Sequence, residues 1–277
     1  MVRFRGRVNF RLPRHLSAWM RRPARAADRV QGTCMNRIAV ISDVHSNLQA
    51  LTTVLARIDT LGVDALYCLG DIVGYGARPV ECLDLVRARA AGAVQGNHDA
   101  LIADPSLRLD FNVYSLAAVE HNRALIPAEG LAWLGALPTS LRPGPDLEFV
   151  HGSPGDRDRY LVFLDDMLEI STTLMKDEGP GACFFGHTHH QVLFDGQKLQ
   201  RPQPGEVQVE PGCRALINPG SVGQPRDGDP RAGFAVWDRA GRVVTYHRVE
   251  YDVEGARREI IDAGLPRLLG DRLLQGR

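Results

Sequence analysis

The sequence predicts one α/β domain with two sheets and flanking helices. Three observations carry that expectation. From residue 36 to residue 95, short apolar runs alternate with longer stretches of helical periodicity. Beyond residue 180, short strand signals dominate, separated by loops rich in Pro and Gly. Five of the apolar runs end alike, on Asp, Asn or His. A strand–helix–strand first half and a strand-rich second half pack as helices laid on sheets.

The elements follow in order. Arg37 to Ser42 (RIAVIS) is a continuous apolar strand. Ser46 to Asp59 places Leu48, Leu51, Leu55 and Ile58 at helical spacing, with Ser46 as the expected cap. Ala65 to Leu69 is a second strand. Pro79 to Ala90 reads as a helix, with Pro79 near its first position and Val80, Leu83 and Val86 on one face. Ala93 to Gln95 is a short third strand, and helical stretches follow near Val113 to Ile126 and Leu131 to Leu137. Leu147 to Val150 is a strand, Leu161 to Met175 is mostly helical, and Ala182 to Phe185 is a strand. Strands are then expected at Gln191 to Phe194, Arg214 to Ile217, Gly233 to Asp238 and Arg242 to Tyr251. A helix spans Val253 to Ala263, and residues 200–213 and 218–231 read as loops.

Composition narrows the class. The chain has 277 residues, 44% of them apolar and 24% charged, which excludes a disordered chain, a collagen and a disulfide mini-protein. The 33 basic and 33 acidic residues cancel, so the whole chain carries no electrostatic footprint for nucleic acid or membrane. The balance is uneven, however. Residues 1–34 hold nine arginines and one acid, Asp28, leaving 24 basic and 32 acidic residues beyond, a formal −8. This segment has no apolar run of seven or more, so it lacks the core of a secretory signal. Residues 1–34 are therefore read as a basic extension, disordered or preceding the natural start. Met35, opening MNRIAVISD, begins the folded domain, residues 35–277. No stretch reaches the ~18 apolar residues of a membrane span. The five cysteines (Cys34, Cys68, Cys82, Cys183, Cys213) show no C-x-x-C spacing, and those inside apolar runs read as small buried residues of a reducing compartment. The expected location is the cytoplasm.

Chemistry gathers at the strand ends. Ile41-Ser42 runs into Asp43-Val44-His45, and Leu69 into Gly70-Asp71. Gln95 runs into Gly96-Asn97-His98-Asp99, Val150 into His151-Gly152, and Phe185 into Gly186-His187-Thr188-His189. Open α/β sheets bind ligands in the crevice at the carboxyl ends of their strands. Side chains delivered from neighbouring strands converge there. Imidazole with carboxylate and no thiolate suits Mn, Fe, Zn, Co or Ni, not a structural zinc site. Only a carboxylate bridges two cations closely, and Asp71 sits in the middle of the set. Two cations ~3.5–4 Å apart stabilise both oxygens of an in-line displacement and make hydroxide available near neutral pH. The glycines at 70, 96, 152 and 186 allow backbone to pass close by without a Cβ clash.

These motifs, D-x-H (43–45), G-D (70–71), G-N-H-D (96–99), H-G (151–152) and G-H-T-H (186–189), resemble those of the calcineurin-like metallophosphoesterase superfamily. The intervals of 28 residues from Asp43 to Asp71 and 26 from Asp71 to Asn97 fit its spacing. GDIVGYG (70–76) and NPGSVGQPRDGDPRA (218–232) resemble a prokaryotic subgroup of small phosphodiesterases. The resemblance spans residues 36 to 250. It implies a βαββαβ double-sheet sandwich with flanking helices and a dinuclear site between the sheets. Asp43, His45 and His189 would hold one divalent metal, Asn97, His151 and His187 the other, and Asp71 would bridge them. His98 would lie outside the ligand set and stabilise the phosphoryl oxygens or protonate the leaving oxygen. Hydroxide held by the metals would attack phosphorus without a phosphoenzyme. Mn or Fe is expected, with Zn, Ni and Co also suited.

One departure bears on substrate. Protein phosphatases of this superfamily resemble G-D-x-V-D-R-G at the second motif, whereas here Ile72-Val73-Gly74-Tyr75-Gly76 follow Asp71. The expected substrate is a small or nucleotide phosphodiester. A dinucleoside polyphosphate and a monoester or phosphoprotein are the alternatives, and a metal-binding interaction module the non-enzymatic one. No specific nucleic acid and no membrane partner is expected; oligomeric state is not legible. Arg226 could grip a phosphate bidentately, and a solvated loop arginine is the other reading. Arg157, Arg159 and Tyr160 could meet the leaving group or simply face solvent. Asn218 and Ser221 lie at the same rim or in a tight turn at Pro219-Gly220.

Overall fold

The structure, a computed structural model, describes residues 35–107, 111–174 and 180–277; the basic segment 1–34 lies outside the described residues. Two six-stranded sheets face each other. The first contains β1 (Arg37–Ile41), β2 (Ala65–Cys68), β3 (Gly92–Ala93), β9 (Gly205–Gln208), β11 (Ala232–Asp238) and β12 (Val243–Val249), in the order β3-β2-β1-β11-β12-β9. The second contains β4 (Ser140–Gly144), β5 (Leu147–Val150), β6 (Ala182–Phe184), β7 (Gln191–Phe194), β8 (Leu199–Gln200) and β10 (Ala215–Pro219), in the order β4-β5-β6-β10-β7-β8. In the site-bearing half of each sheet the strands run parallel: β1 with β2, β2 with β3, β5 with β6, and β6 with β10. Their carboxyl ends therefore lie at one edge of the sandwich.

Strand β1 explains why its sequence is a continuous apolar run and not an alternation. Ile38 and Val40 point between the sheets, against Tyr67, Phe149, Phe184 and Trp237. Ala39 and Ile41 point outward into a second core, beneath α1 (Leu48–Asp59) and α2 (Pro79–Arg89). Both faces are covered, so every position must be apolar. Each such Val, Leu, Ile or Phe side chain contributes ~1.5–3 kcal/mol through burial. The outer face of the second sheet is covered by α6 (Leu164–Leu174), through Met167 and Ile170. No helix among the described residues is long and apolar enough to cross a membrane.

Several local expectations shift. The cap of α1 is Asn47, whose side chain accepts from Ala50 N–H at 3.1 Å. Ser46 turns instead toward Asn122, its Oγ donating at 2.6 Å. The third strand is Gly92–Ala93, earlier than expected, and Asn97–Ala103 (α3) is helical, where a loop was expected. Two further helices, α4 (Val113–Leu125) and α5 (Ala128–Gly135), fall close to their expected places. Residues 205–208, expected in a loop, pair with β12 as an edge strand. Strand β4 was not foreseen. After α7 (Val253–Asp262) the chain adds α8 (Arg267–Asp271) and a 3-10 turn (Arg272–Gln275), also unforeseen. Leu265, Leu269 and Leu273 pack this segment against Tyr75 and Ala118, within reach of the loop after Asp71.

Candidate metal centre

Three strands of the first sheet and two of the second deliver the candidate residues. Asp43 and His45 follow β1, Asp71 follows β2, and Asn97 and His98 follow β3. His151 follows β5, and His187 and His189 follow β6. Backbone bonds continue beyond the strands: Asp43 N–H donates to Gly70 O at 3.0 Å, and His45 N–H to Asp71 O at 2.9 Å. Gly186 N–H does the same toward His151 O at 2.7 Å. Asp43, His45, Asp71, His187 and His189 all adopt left-handed backbone, with φ between 49° and 66°. For non-glycine residues that geometry costs ~1–2 kcal/mol each. It turns each side chain sharply into the crevice, and such strain concentrates where function requires it.

The side chains meet in two adjoining groups. In the first, His45 Nε2 lies 3.2 Å from His189 Nε2 and 3.9 Å from Asp43 Oδ1. His189 Nε2 lies 3.2 Å from the same Asp43 oxygen. In the second, His151 Nε2 lies 3.1 Å from both His187 Nδ1 and Asn97 Oδ1. Asp71 stands between them, its Oδ2 3.6 Å from His45 Nε2 and 3.4 Å from His151 Nε2. Asp43, His45 and His189 form one cluster able to hold a cation, and Asp71, His151 and His187 another. His98 also presents a ring nitrogen close to His45 and Asp71.

The outer nitrogens settle what the inner ones are. His45 Nδ1 faces Val73 O at 3.3 Å, His151 Nδ1 faces Leu69 O at 2.7 Å, and His189 Nδ1 faces Gln224 O at 2.5 Å. His187 Nε2 faces Asp158 O at 3.2 Å. A carbonyl only accepts, so each outer nitrogen carries the proton. In the neutral rings the four inner nitrogens then aim lone pairs at one another and at carboxylate oxygens. Asp43 Oδ1, fully buried, has no hydrogen-bond donor among the described residues. Acceptors crowded against acceptors repel unless positive charge lies between them. This donor set fits divalent transition metals, and the carbonyl partners hold the rings as outer-shell partners do at metal sites.

Electrostatics agrees. Burial opposes the charged form of His151, yet Asp71 and then Asp43 raise it to about 9. The carboxylates call for a positive charge at this point. His187 moves the other way, down to about 3, through burial and then the neighbouring His151. His98 is lowered to about 4, mainly by burial, with Arg226 adding to the effect. It is a neutral imidazole near pH 7.

The clusters open into a cleft lined by Asp71, Asn97, His98, His187, Tyr160 and Arg226, among others. His98 packs edge-on against Phe111 at 4.6 Å between centroids, and its buried Nδ1 has no hydrogen-bond partner among the described residues. Tyr160 packs at a tilt against His187, 3.8 Å between ring centroids. Of the second-tier residues, Arg226 faces this cleft. Arg157 does not line it: its guanidinium bonds Gln95 Oε1 at 2.8 Å and pairs with Asp158. Asn218 is buried and holds the G-H-T-H loop, donating to Gly186 O at 2.8 Å and Thr188 Oγ1 at 3.0 Å.

Two supporting residues escaped the sequence reading. Asp99 accepts from Ile72 N–H at 3.0 Å, Val73 N–H at 3.2 Å and Gly96 N–H at 3.1 Å. It ties the loop after Asp71 to the start of α3. Asn122, fully buried on α4, accepts from Ser46 Oγ and Gly74 N–H and donates to Gly76 O. The G-N-H-D motif contains Asp99, and a carboxylate at the third helical position is a capping signal that could have found it. Asn122 carries no local signal.

Comparison with known proteins points the same way. The calcineurin-like phosphoesterase superfamily domain matches residues 36–241. A metallophosphoesterase crystal structure from Sphaerobacter thermophilus is 38% identical, with a TM-score of 0.78, covering 88% of this chain and 100% of that one. An uncharacterized protein of Methanocaldococcus jannaschii is 36% identical over 247 residues, which is 87% of this chain and 98% of that protein. The fold recurs in a hypothetical protein from Pyrococcus horikoshii, 22% identical with a TM-score of 0.71, over 87% of this chain and 98% of that one. With its double sheet and its buried clusters of His and Asp, the chain belongs to the calcineurin-like phosphoesterase superfamily of metal-dependent phosphoester hydrolases.

Proposed function

We propose that this protein is a dinuclear metal-dependent phosphodiesterase acting on a small or nucleotide phosphoester. The observation that carries the reading is Asp71 Oδ2, set 3.6 Å from His45 Nε2 and 3.4 Å from His151 Nε2, between two groups of inward-facing donors. Asp43, His45 and His189 would hold one cation and Asn97, His151 and His187 the second, with Asp71 between the two groups. Once bound, two divalent cations supply an activated water and the positive charge that stabilises the attacking and leaving oxygens. The nitrogen and oxygen donors accept Mn, Fe, Zn, Ni or Co, and Mn or Fe is the expected occupant because availability in the cell decides more than affinity.

The chain's own residues do the rest. His98, neutral at the cleft wall, donates N–H to a phosphoryl or leaving oxygen. Asp99 holds the Asp71 loop to α3, and Gly74 leaves room for the His98 ring: a Cβ there would lie 2.4 Å from His98 Nδ1. A diester is favoured because Gly74 and Tyr75 stand where the protein phosphatases carry Asp and Arg. A reducing compartment fits the buried free thiols of Cys68, Cys82 and Cys183. The test is hydrolysis of bis(p-nitrophenyl) phosphate and of p-nitrophenyl phosphate by metal-stripped protein, with and without Mn²⁺. Metal-dependent turnover that favours the diester is expected. Turnover of the monoester alone, or turnover without metal, overturns the reading.

A further inference from the structure

Two guanidinium groups approach one phenol ring beside the cleft. Arg226 Cζ lies 5.8 Å from the Tyr75 ring centroid, and Arg272 Cζ lies 5.9 Å from it. Arg226 lines the cleft together with Asp71, His98 and His187. Arg272, from the 3-10 turn after α8, lines an adjoining cavity of about 390 Å³. The two hollows share Asn112 and Ser115 as a common wall. Tyr114, Leu268 and Leu269 give the larger one an apolar lining. Its volume is that of a small-ligand site.

Neither guanidinium has a side-chain carboxylate partner among the described residues. Arg226 donates to Gln224 Oε1 at 2.9 Å and Tyr75 Oη at 3.4 Å. Arg272 Nε donates at 2.5 Å to the oxygen of Arg277, the last residue of the sequence, and its two terminal nitrogens have no side-chain carboxylate partner among the described residues. The acids nearby are engaged elsewhere: Asp227 with Arg248, Asp229 with Arg231, and Asp271 with Arg257 and Arg267. Burial and then the charge of Arg226 both disfavour the charged form of Arg272. Two like charges held against one ring, one of them partly buried, repel. An anion shared between them removes the repulsion and takes charge-assisted hydrogen bonds from both.

We propose that the substrate carries a second phosphate, separate from the scissile one, which Arg226 and Arg272 grip beside Tyr75 while the organic body occupies the 390 Å³ cavity. This deepens the phosphoesterase reading and rests on it. The substrate class is then an organic phosphoester bearing one further phosphate. Two arginines match one extra phosphate and not a long polyphosphate chain.

The test uses ligand pairs that differ by one phosphate. Thymidine 3′,5′-bisphosphate is compared with thymidine 5′-phosphate, and ADP with AMP, by calorimetry on the full chain with and without Mn²⁺. In parallel, kcat/KM is compared for the p-nitrophenyl ester of thymidine 5′-phosphate with and without a 3′-phosphate. The extra phosphate is expected to tighten binding at least tenfold in at least one pair. Arg272→Gln and Arg226→Gln should each reduce that ratio to near one, and Arg272→Lys should retain part of it, which shows that the fold is intact. Equal affinities within both pairs, or a ratio that survives both Gln substitutions, overturns the proposal. Absence of turnover with every ester would count against the phosphoesterase reading, while the binding ratio still decides the second-phosphate site.

Discussion

His151 Nδ1 lies 2.7 Å from the carbonyl oxygen of Leu69. The side chain comes from the second sheet and the carbonyl from the first, so main chain of one sheet aims a ring delivered by the other. With Nδ1–H donated to Leu69 O, His151 turns its Nε2 toward Asn97, His187 and Asp71. Removing this ring should empty one half of the centre and leave the other. Purified His151→Ala is expected to hold about one divalent ion per chain, against two in the wild type, by elemental analysis. Turnover of bis(p-nitrophenyl) phosphate should fall by at least about 10²-fold. Two retained ions in the variant would remove His151 from the ligand set.

His98 and Gly74 are coupled through contact. His98→Ala should lower kcat by about 10²–10⁴-fold, the range of a lost acid–base or hydrogen-bonding group, while metal content stays at the wild-type level. Gly74→Ala should mimic it in part. Gly74 has φ of +99°, and an added Cβ would meet the imidazole at 2.4 Å, so the ring must swing away. Metal-loaded Gly74→Ala with unchanged kcat would dissociate the ring's position from the reaction.

Asn47 joins three segments. Its Oδ1 caps α1 at Ala50, and its Nδ2 donates to Gly223 O at 2.9 Å and Tyr251 Oη at 3.2 Å. Loss of a cap costs ~1 kcal/mol. Each further buried hydrogen bond adds ~0.5–1.5 kcal/mol. Asn47→Ala is therefore expected to destabilise the fold by roughly 2–4 kcal/mol in urea denaturation. Asn47→Asp keeps the cap but sets a carboxylate oxygen against Gly223 O, so it should destabilise at least as much as Asn47→Ala.

His247 makes a pH-dependent contribution away from the centre. Its ring stacks on Phe234 at 4.5 Å between centroids, and burial, with Arg57 and Arg37 adding, lowers its pKa to about 4 from 6.5. The folded state therefore disfavours the protonated ring. Stability from this group is present above pH 6.5. As pH falls below that, the unfolded chain takes up a proton before the folded one does, and stability declines until about pH 4. His247→Phe keeps the stacked shape without the titration. Its unfolding free energy should fall less than the wild type's between pH 7 and pH 4.5. A parallel decline in both proteins would show that His247 does not titrate this way.

The candidate centre was legible because its signals are local. Each of Asp43, Asp71, Asn97, His151 and His187 lies within three residues of the end of an apolar run, and a parallel strand order brings such ends together by topology alone. The helices near 113–126 and 253–263 were legible through periodicity. The edge strands at 140–144 and 205–208 were not. Gly144 and Gly205 weaken the local strand signal, and only pairing with β5 and β12 makes these segments strands. The cap moved from Ser46 to Asn47 for a similar reason: Asn122, 76 residues away in sequence, takes the Ser46 hydroxyl.

By itself the sequence determined the strand ends, the residue types placed on them and the chemistry those types allow. Short-range patterning and steric limits suffice for that, since apolar runs, glycines and polar ends act within a few residues. Tertiary structure decided the rest. It set which ring nitrogen faces inward, because carbonyls of Leu69, Val73, Asp158 and Gln224 take the outer protons. It brought Arg272 to the Tyr75 ring beside Arg226, 46 positions earlier, by packing Leu269 and Leu273 against the core near α4. Those relations depend on hydrogen bonds and burial between distant segments, which have no signature until the chain folds.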